Sequence, residues 1–261
     1  MRCFLGWKMD NVFLIQTEYS KTIDGRNIVS LMGRYANWYL DKFVIGEEAS
    51  LLPREKLIPV GNIFFVQSFL EKHMEPLEVP KPLRKYLERE YFICKGEDIP
   101  KEYLCTEYFF KDADNLKAWN NALNPHDLDI KPDTNYVVSR RVEFSSEYRV
   151  FVHEKEILAV RHYLGDPLVF PDPGKLREVV SIYEGPKAYT LDIGMHGGKT
   201  DILEIHPFAS CGLYGFYDKE IIPMLKDGYE WYEREFSAAK MKNAHKRPKN
   251  FASRCLQKQK G

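Results

Sequence analysis

An α+β fold in several lobes is predicted by three features of this chain. Strand-like segments follow one another through the second half without the regular strand–helix alternation of a doubly wound sheet. A stretch punctuated by Pro76, Pro80, Pro82 and Pro100 reads as a connector and sets that half apart from the first. Finally, 44% hydrophobic and 14% aromatic residues are too many for a disordered chain and suit a packed core. At about 100–200 residues per domain, the 261 residues allow one elaborate domain or a few small lobes.

The elements follow in order. Asn11–Tyr19 (NVFLIQTEY) reads as a strand, and Val29–Lys42 carries apolar residues at helical spacing. Ile58–Leu70 opens on a turn signal and becomes apolar. After the connector, Thr106–Lys111 (TEYFFK) is aromatic and β-prone, with a short helix expected around Asp114–Ala122. Tyr136–Phe144, Tyr148–His153 and Ile157–Tyr163 are alternating or β-branched runs. Two further strands, Ala188–Met195 and Thr200–His206, are joined through Gly197-Gly198, and Glu220–Phe236 is helical in pattern.

Several function classes are excluded. No unbroken apolar run exceeds four residues, against about 20 for a spanning helix, and the first residues lack the apolar core of a signal peptide. A soluble, cytosolic protein is expected. Five scattered cysteines without a C-x-x-C pair fit neither a disulfide framework nor a zinc knuckle. There is no H-E-x-x-H and no G-x-S-x-G. Gly194–Thr200 imitates a P-loop but is one residue short and is followed by a strand where a helix is required, so it reads as a hairpin turn. The formal charge is zero, yet eight of the 38 Lys and Arg and no acid lie between Lys240 and Lys260, leaving 30 cations against 38 acids in residues 1–236. This basic tail could touch an anionic partner, but it lacks the aromatic interleaving of sequence-specific nucleic-acid binding.

The sharpest local signal is the hairpin around Gly197-Gly198. A period of two puts Leu191 and Ile193 on one face and Asp192 on the other. On the returning strand Leu203 and Ile205 share a face, with Glu204 and His206 opposite. A three-residue loop centred on Gly198 would set Asp192 directly across from Glu204. Two such carboxylates repel unless a cation lies between them, and oxygen ligands suit a hard ion such as Mg²⁺. An exposed hairpin with a polar outer face would alternate in the same way.

The second signal is cationic. Pairing Tyr148–His153 with Ile157–Tyr163 so that paired positions sum to 310 brings Arg149 and Arg161 together on one face, an arrangement suited to an anion. Lys111 at a strand end and Lys117 six residues on are candidate phosphate ligands, although lysines in such places are often merely solvated.

The order of these signals (EYFFK, LKAW, YVVSRRVEF, SSEYRVFV, YTLDIG, then DILEIHPFASCGLYGF) resembles the ATP-grasp superfamily. It is most similar to the divergent clade of bacterial and phage ATP-grasp proteins that includes a eukaryotic cell-division-cycle protein assembling translation initiation factor 2. The resemblance runs from Ile58 to Phe216 and implies two α+β lobes clasping ATP behind an N-terminal lobe. The lobes would be residues 1–95 shaping the substrate pocket, 96–138 the small lobe, 139–236 the large lobe with a metal site, and 237–261 the tail. It further implies that Lys111 and Lys117 contact phosphates and that the segment from Ser139 to Val142 is the hinge reading adenine. Asp192, Glu204 and His206 would hold Mg²⁺, Arg149 would sit near the γ-phosphate, and Arg161 near the substrate carboxylate. His206 stands where the family has asparagine, and a neutral imidazole is a poorer ligand for a hard ion. Arg140 also departs from the pattern, standing where many relatives have an acid.

The implied activity is ATP- and Mg²⁺-dependent: a carboxylate is activated as an acylphosphate for attack by an amine or similar nucleophile, on a protein or peptide among other substrates. The alternative is an ATP-binding assembly factor with little turnover. A nucleotidyl-transferring enzyme acting on RNA is less well supported, because the K-x-[DN]-G lysine motif is missing.

Overall fold

In the computed structural model, residues 11–35, 38, 42–46, 52–70, 79–113 and 129–245 are described, with side chains of the last helix described to Arg234. Among the described residues the strands form three small sheets. The first is parallel, in the order β2-β1-β3, from β1 (Val12–Ile15), β2 (Lys42–Ile45) and β3 (Leu57–Val60). Parallel neighbours need crossovers. The chain therefore leaves β1 through α1 (Thr17–Ser20) and α2 (Ile23–Tyr35), and leaves β3 into α3 (Ile63–Leu70). This is why the strand expected to reach Tyr19 stops at Ile15, and why Lys42, expected in a helix, lies in a strand opposite Val12.

The second sheet is antiparallel, in the order β4-β6-β5, from β4 (Tyr91–Lys95), β5 (Tyr108–Asp112) and β6 (Asn135–Arg140). Because β4 is bonded along its length to β6, the lobe boundary expected after residue 95 falls before Tyr91. Phe92, Phe110, Tyr136 and Val138 bury one face of this sheet. The helix expected around 114–122 and Lys117 lie outside the described residues.

The third sheet is antiparallel, in the order β10-β9-β7-β8, from β7 (Ser146–His153), β8 (Glu156–Gly165), β9 (Ala188–His196) and β10 (Lys199–Pro207). One face, with Tyr148, Val150, Leu191, Ile193, Ile202 and Ile205, is covered by α4 (Pro173–Ile182). Asp172 caps α4 by accepting from the amides of Gly174 and Lys175, with Pro173 in the first turn, where its missing N–H costs nothing.

The other face is divided. Phe151 and Ala188 join a core shared with β1, β3, α2 and α5 (Ile221–His245), while Asp192 and Glu204 line a cleft facing the second sheet, with buried Arg149 bonded to Asp192 behind it. The fold is thus the expected α+β arrangement, with a parallel N-terminal sheet. No helix among the described residues is long and apolar enough to cross a membrane.

Candidate functional site

A cleft of about 660 Å³ separates the second and third sheets, within the range of small-molecule sites. Period-two alternation aims Tyr91, Phe109, Lys111, Val137 and Ser139 into it from the small sheet. Glu147, Tyr163, Asp192, Leu203 and Glu204 enter from the large one, and Arg140, Arg141, Val142 and Phe144 line the link between them. One end therefore has apolar and aromatic walls suited to a flat ring, and the other carries carboxylates and cations.

Asp192 and Glu204 do face each other across β9 and β10, by a route the sequence reading did not foresee. The turn has two residues, Gly197 (φ 54) and Gly198 (φ 74), both left-handed as a type I′ hairpin requires. Lys199 accordingly pairs with His196, and a β-bulge between Ile202 and Glu204 supplies the missing step. The bulge also changes the facing: Ile202, and not Leu203, shares the buried face with Ile205, while Leu203 lines the cleft.

Each carboxylate is balanced by cations. Arg149 donates from Nε and Nη2 to the two oxygens of Asp192, both at 2.7 Å, and from Nη1 to the carbonyl of Gly212 at 3.1 Å. Burial alone would lower the Arg149 pKa, but Asp192 holds it firmly protonated. Lys111 reaches across the cleft to Glu204 Oε2 at 3.1 Å, and His206 Nε2 lies 2.7 Å from its Oε1. Burial alone would raise the Glu204 carboxyl, yet His206 and Lys111 hold it well below the usual carboxylate range. Arg161 pairs with Arg149 across β7 and β8 in the 310 register, and its side chain is exposed.

At the link, the amides of Arg140 and Arg141 bond to the carbonyls of Glu90 and Glu107, extending the β-pairing of the small sheet. Val142 lies just beyond on irregular backbone. Ser139 is buried, and its hydroxyl accepts from Arg89 Nε at 2.9 Å. Arg89 was not foreseen. Its Nη1 also donates to buried Asp201, at 2.5 Å, and to the carbonyl of Ile202, so one guanidinium lining the cleft ties both sheets together. Asp201 further accepts from the amide of Glu88 and contacts His196. Glu147 and Tyr163 were also missed: the Tyr163 hydroxyl donates to Glu147 at 2.7 Å. Burial, reinforced by the Asp192 charge, pushes that phenol far up.

Hard oxygen donors on opposed strands fit Mg²⁺, which is commonly held by one or two carboxylates together with substrate phosphates and waters. Among the described residues no group of three or more such side chains surrounds a common point, so the remaining ligands would have to come from the nucleotide and solvent.

Such a cleft between two sheets, with apolar walls and a charged mouth, suits a ligand with a flat ring and an anionic tail. Residues 86–224 match the family model of the ATP-grasp domain, R2K clade family 2, and the chain belongs to that family. No curated protein matches the chain. Among solved structures it is similar to D-alanine–D-alanine ligase from Bacillus anthracis, at 11% identity and TM-score 0.46 over 88% of this chain and 100% of that one. A RimK domain ATP-grasp protein from Sphaerobacter thermophilus has 11% identity and TM-score 0.48, over 86% and 98%. Cdc123 from Schizosaccharomyces pombe has 17% identity and TM-score 0.24, over 33% and 40%.

Proposed function

We propose that this protein is an ATP-dependent ligase that activates a carboxylate as an acylphosphate and passes the acyl group to an amine or similar nucleophile. The observation that carries this reading is the opposition of Asp192 and Glu204 in one cleft with Lys111, Asp192 being paired to Arg149. Adenine would lie among Tyr91, Phe109, Val137 and Leu203, with the backbone around Val142 reading its edge. Lys111, with Lys117, would neutralise the phosphates. Asp192 and Glu204, with His206 beside them, would hold Mg²⁺, whose charge offsets that developing on the β- and γ-phosphates. The first lobe, now ending near residue 90, would shape the pocket of the second substrate.

In the first step a substrate carboxylate oxygen attacks the γ-phosphorus as its bond to the β–γ bridging oxygen breaks, releasing ADP. In the second, the nucleophile attacks the acyl carbon, inorganic phosphate leaves, and the nucleophile's proton passes to solvent. Little acid–base machinery is needed; Arg149 and Arg161 contribute by positioning and charge.

Trapping with hydroxylamine tests this. Incubation with ATP, Mg²⁺, pooled carboxylates and hydroxylamine should form ADP and a hydroxamate in equal amounts, both lost in Arg149→Ala. ATP binding without ADP from any pool would favour the second reading, an assembly factor related to the cell-division-cycle clade. The contact of His206 with Glu204, in place of the family's asparagine, favours that reading.

A further inference from the structure

The turn after β10 holds a strained residue beside the proposed reacting centre. Leu213 and Phe216 are buried, and the amide of Phe216 donates to the carbonyl of Leu213 at 2.8 Å. Between them Tyr214 (φ 44) and Gly215 (φ 80) are both left-handed. The first position of such a turn favours Gly, Asn or Asp. A tyrosine there is held against local preference, and strain of this kind collects at functional sites.

The surroundings supply the restraint. Asp24, on α2 of the N-terminal lobe, accepts from the Leu213 amide at 2.9 Å and from the Tyr217 hydroxyl at 3.1 Å. The Tyr214 ring stacks on Tyr163, with centroids 4.8 Å apart and planes 20° apart, and lies 5.0 Å from the Arg149 guanidinium. Despite these contacts Tyr214 is 45% exposed.

Arg161 completes the arrangement. It is the cross-strand partner of Arg149 and two residues from Tyr163, which stands at the β-bulge opposite Glu147 and Tyr148 and lines the cleft. The Arg161 side chain is exposed, and a guanidinium suits a carboxylate through its planar fork of donors. A half-covered aromatic cluster, which reaches the cleft through Tyr163, and an exposed cation thus lie two residues apart along β8. A ligand meeting both must bring a ring and an acid.

We propose that the carboxylate substrate carries an aromatic ring, which joins the Tyr163–Tyr214 cluster while its carboxylate is held by Arg161. This deepens the ligase reading and rests on it. Aromatic pairs prefer offset-stacked or edge-to-face contacts and gain beyond the area they bury, which a saturated ring of equal size does not.

The test uses the full chain saturated with a non-hydrolysable ATP analogue and Mg²⁺, titrated calorimetrically with 3-phenylpropanoate and 3-cyclohexylpropanoate. The phenyl acid should bind about three- to tenfold more tightly. Tyr214→Leu should erase that preference, Tyr214→Phe should keep it, and Arg161→Gln should weaken both acids alike. Equal binding of the two acids, a preference that survives Tyr214→Leu, or no binding of either acid to the nucleotide complex would overturn the inference while leaving the ligase reading standing. Failure of the analogue itself to bind would remove both.

Discussion

At the scale of single residues, the site is organised by charge pairs whose members would be costly alone. Arg149 and Asp192 are nearly enclosed, with side chains 10% and 5% exposed. Removing one partner of a buried pair typically costs about 3–5 kcal/mol, because the other charge stays buried, whereas an apolar replacement of both is often tolerated. Arg149→Met and Asp192→Leu should therefore each lower the urea-denaturation free energy by roughly that amount, and the double variant by less than either. Additive losses would mean that the two side chains act independently. Sequence alternation put Asp192 on the polar face of one hairpin and Arg149 beside Arg161 on another strand pair, but it could not show that Arg149 and Asp192 meet and neutralise each other. That depends on β7 lying between β8 and β9, a non-local pairing that no local pattern records. Arg89 was illegible for the same reason, since its partners Ser139 and Asp201 are 50 and 112 residues away.

At the scale of elements, the β9–β10 hairpin sets the carboxylates, and its turn and bulge act together. The opposition of Asp192 and Glu204 was legible from spacing, while the division into a two-residue turn and a bulge was not. Both routes give the same pairing beyond the bulge and differ only in which residue is extruded. The difference has consequences: it brings Leu203 to the cleft and places buried Asp201 opposite Gly194, where Arg89 can reach it. Gly198→Val forces a β-branched residue to φ 74. It should destabilise by about 1–2 kcal/mol, with Gly198→Asn costing much less. Thermal unfolding of the two variants checks this; equal costs would argue against the two-residue turn. The strands of the second half were readable because each is an aromatic, β-branched or alternating run. Of the parallel first sheet only β1 was readable, inside Asn11–Tyr19; β2 and β3 are runs of four residues, KFVI and LIPV, too short to show a period.

At the scale of the whole molecule, burial of phenols ties stability to alkaline pH. Burial pushes Tyr183 from the ordinary 10 up to about 12, and Tyr19, Tyr189 and Tyr229 higher still. A group whose folded pKa is raised contributes stability that is complete below its unfolded value and lost as pH rises through the folded one. Stability should therefore hold to about pH 10 and fall through pH 12. Phenolate absorbance from these rings should appear together with loss of the folded circular-dichroism signal. Titration of all tyrosines near pH 10 with the fold intact would contradict the burial described here.

The proposed function rests on nucleotide binding in the cleft between the second and third sheets. The most direct measurement is a calorimetric titration with ATP, with and without Mg²⁺, of the native protein and of Glu204→Gln, which keeps the side-chain shape and removes the charge facing Lys111. Saturable binding that strengthens with Mg²⁺ in the native protein, and loses that strengthening in Glu204→Gln, is the result predicted. Absence of ATP binding under either condition, or a Mg²⁺ effect unchanged in Glu204→Gln, would contradict the assignment of the metal–nucleotide site to this cleft.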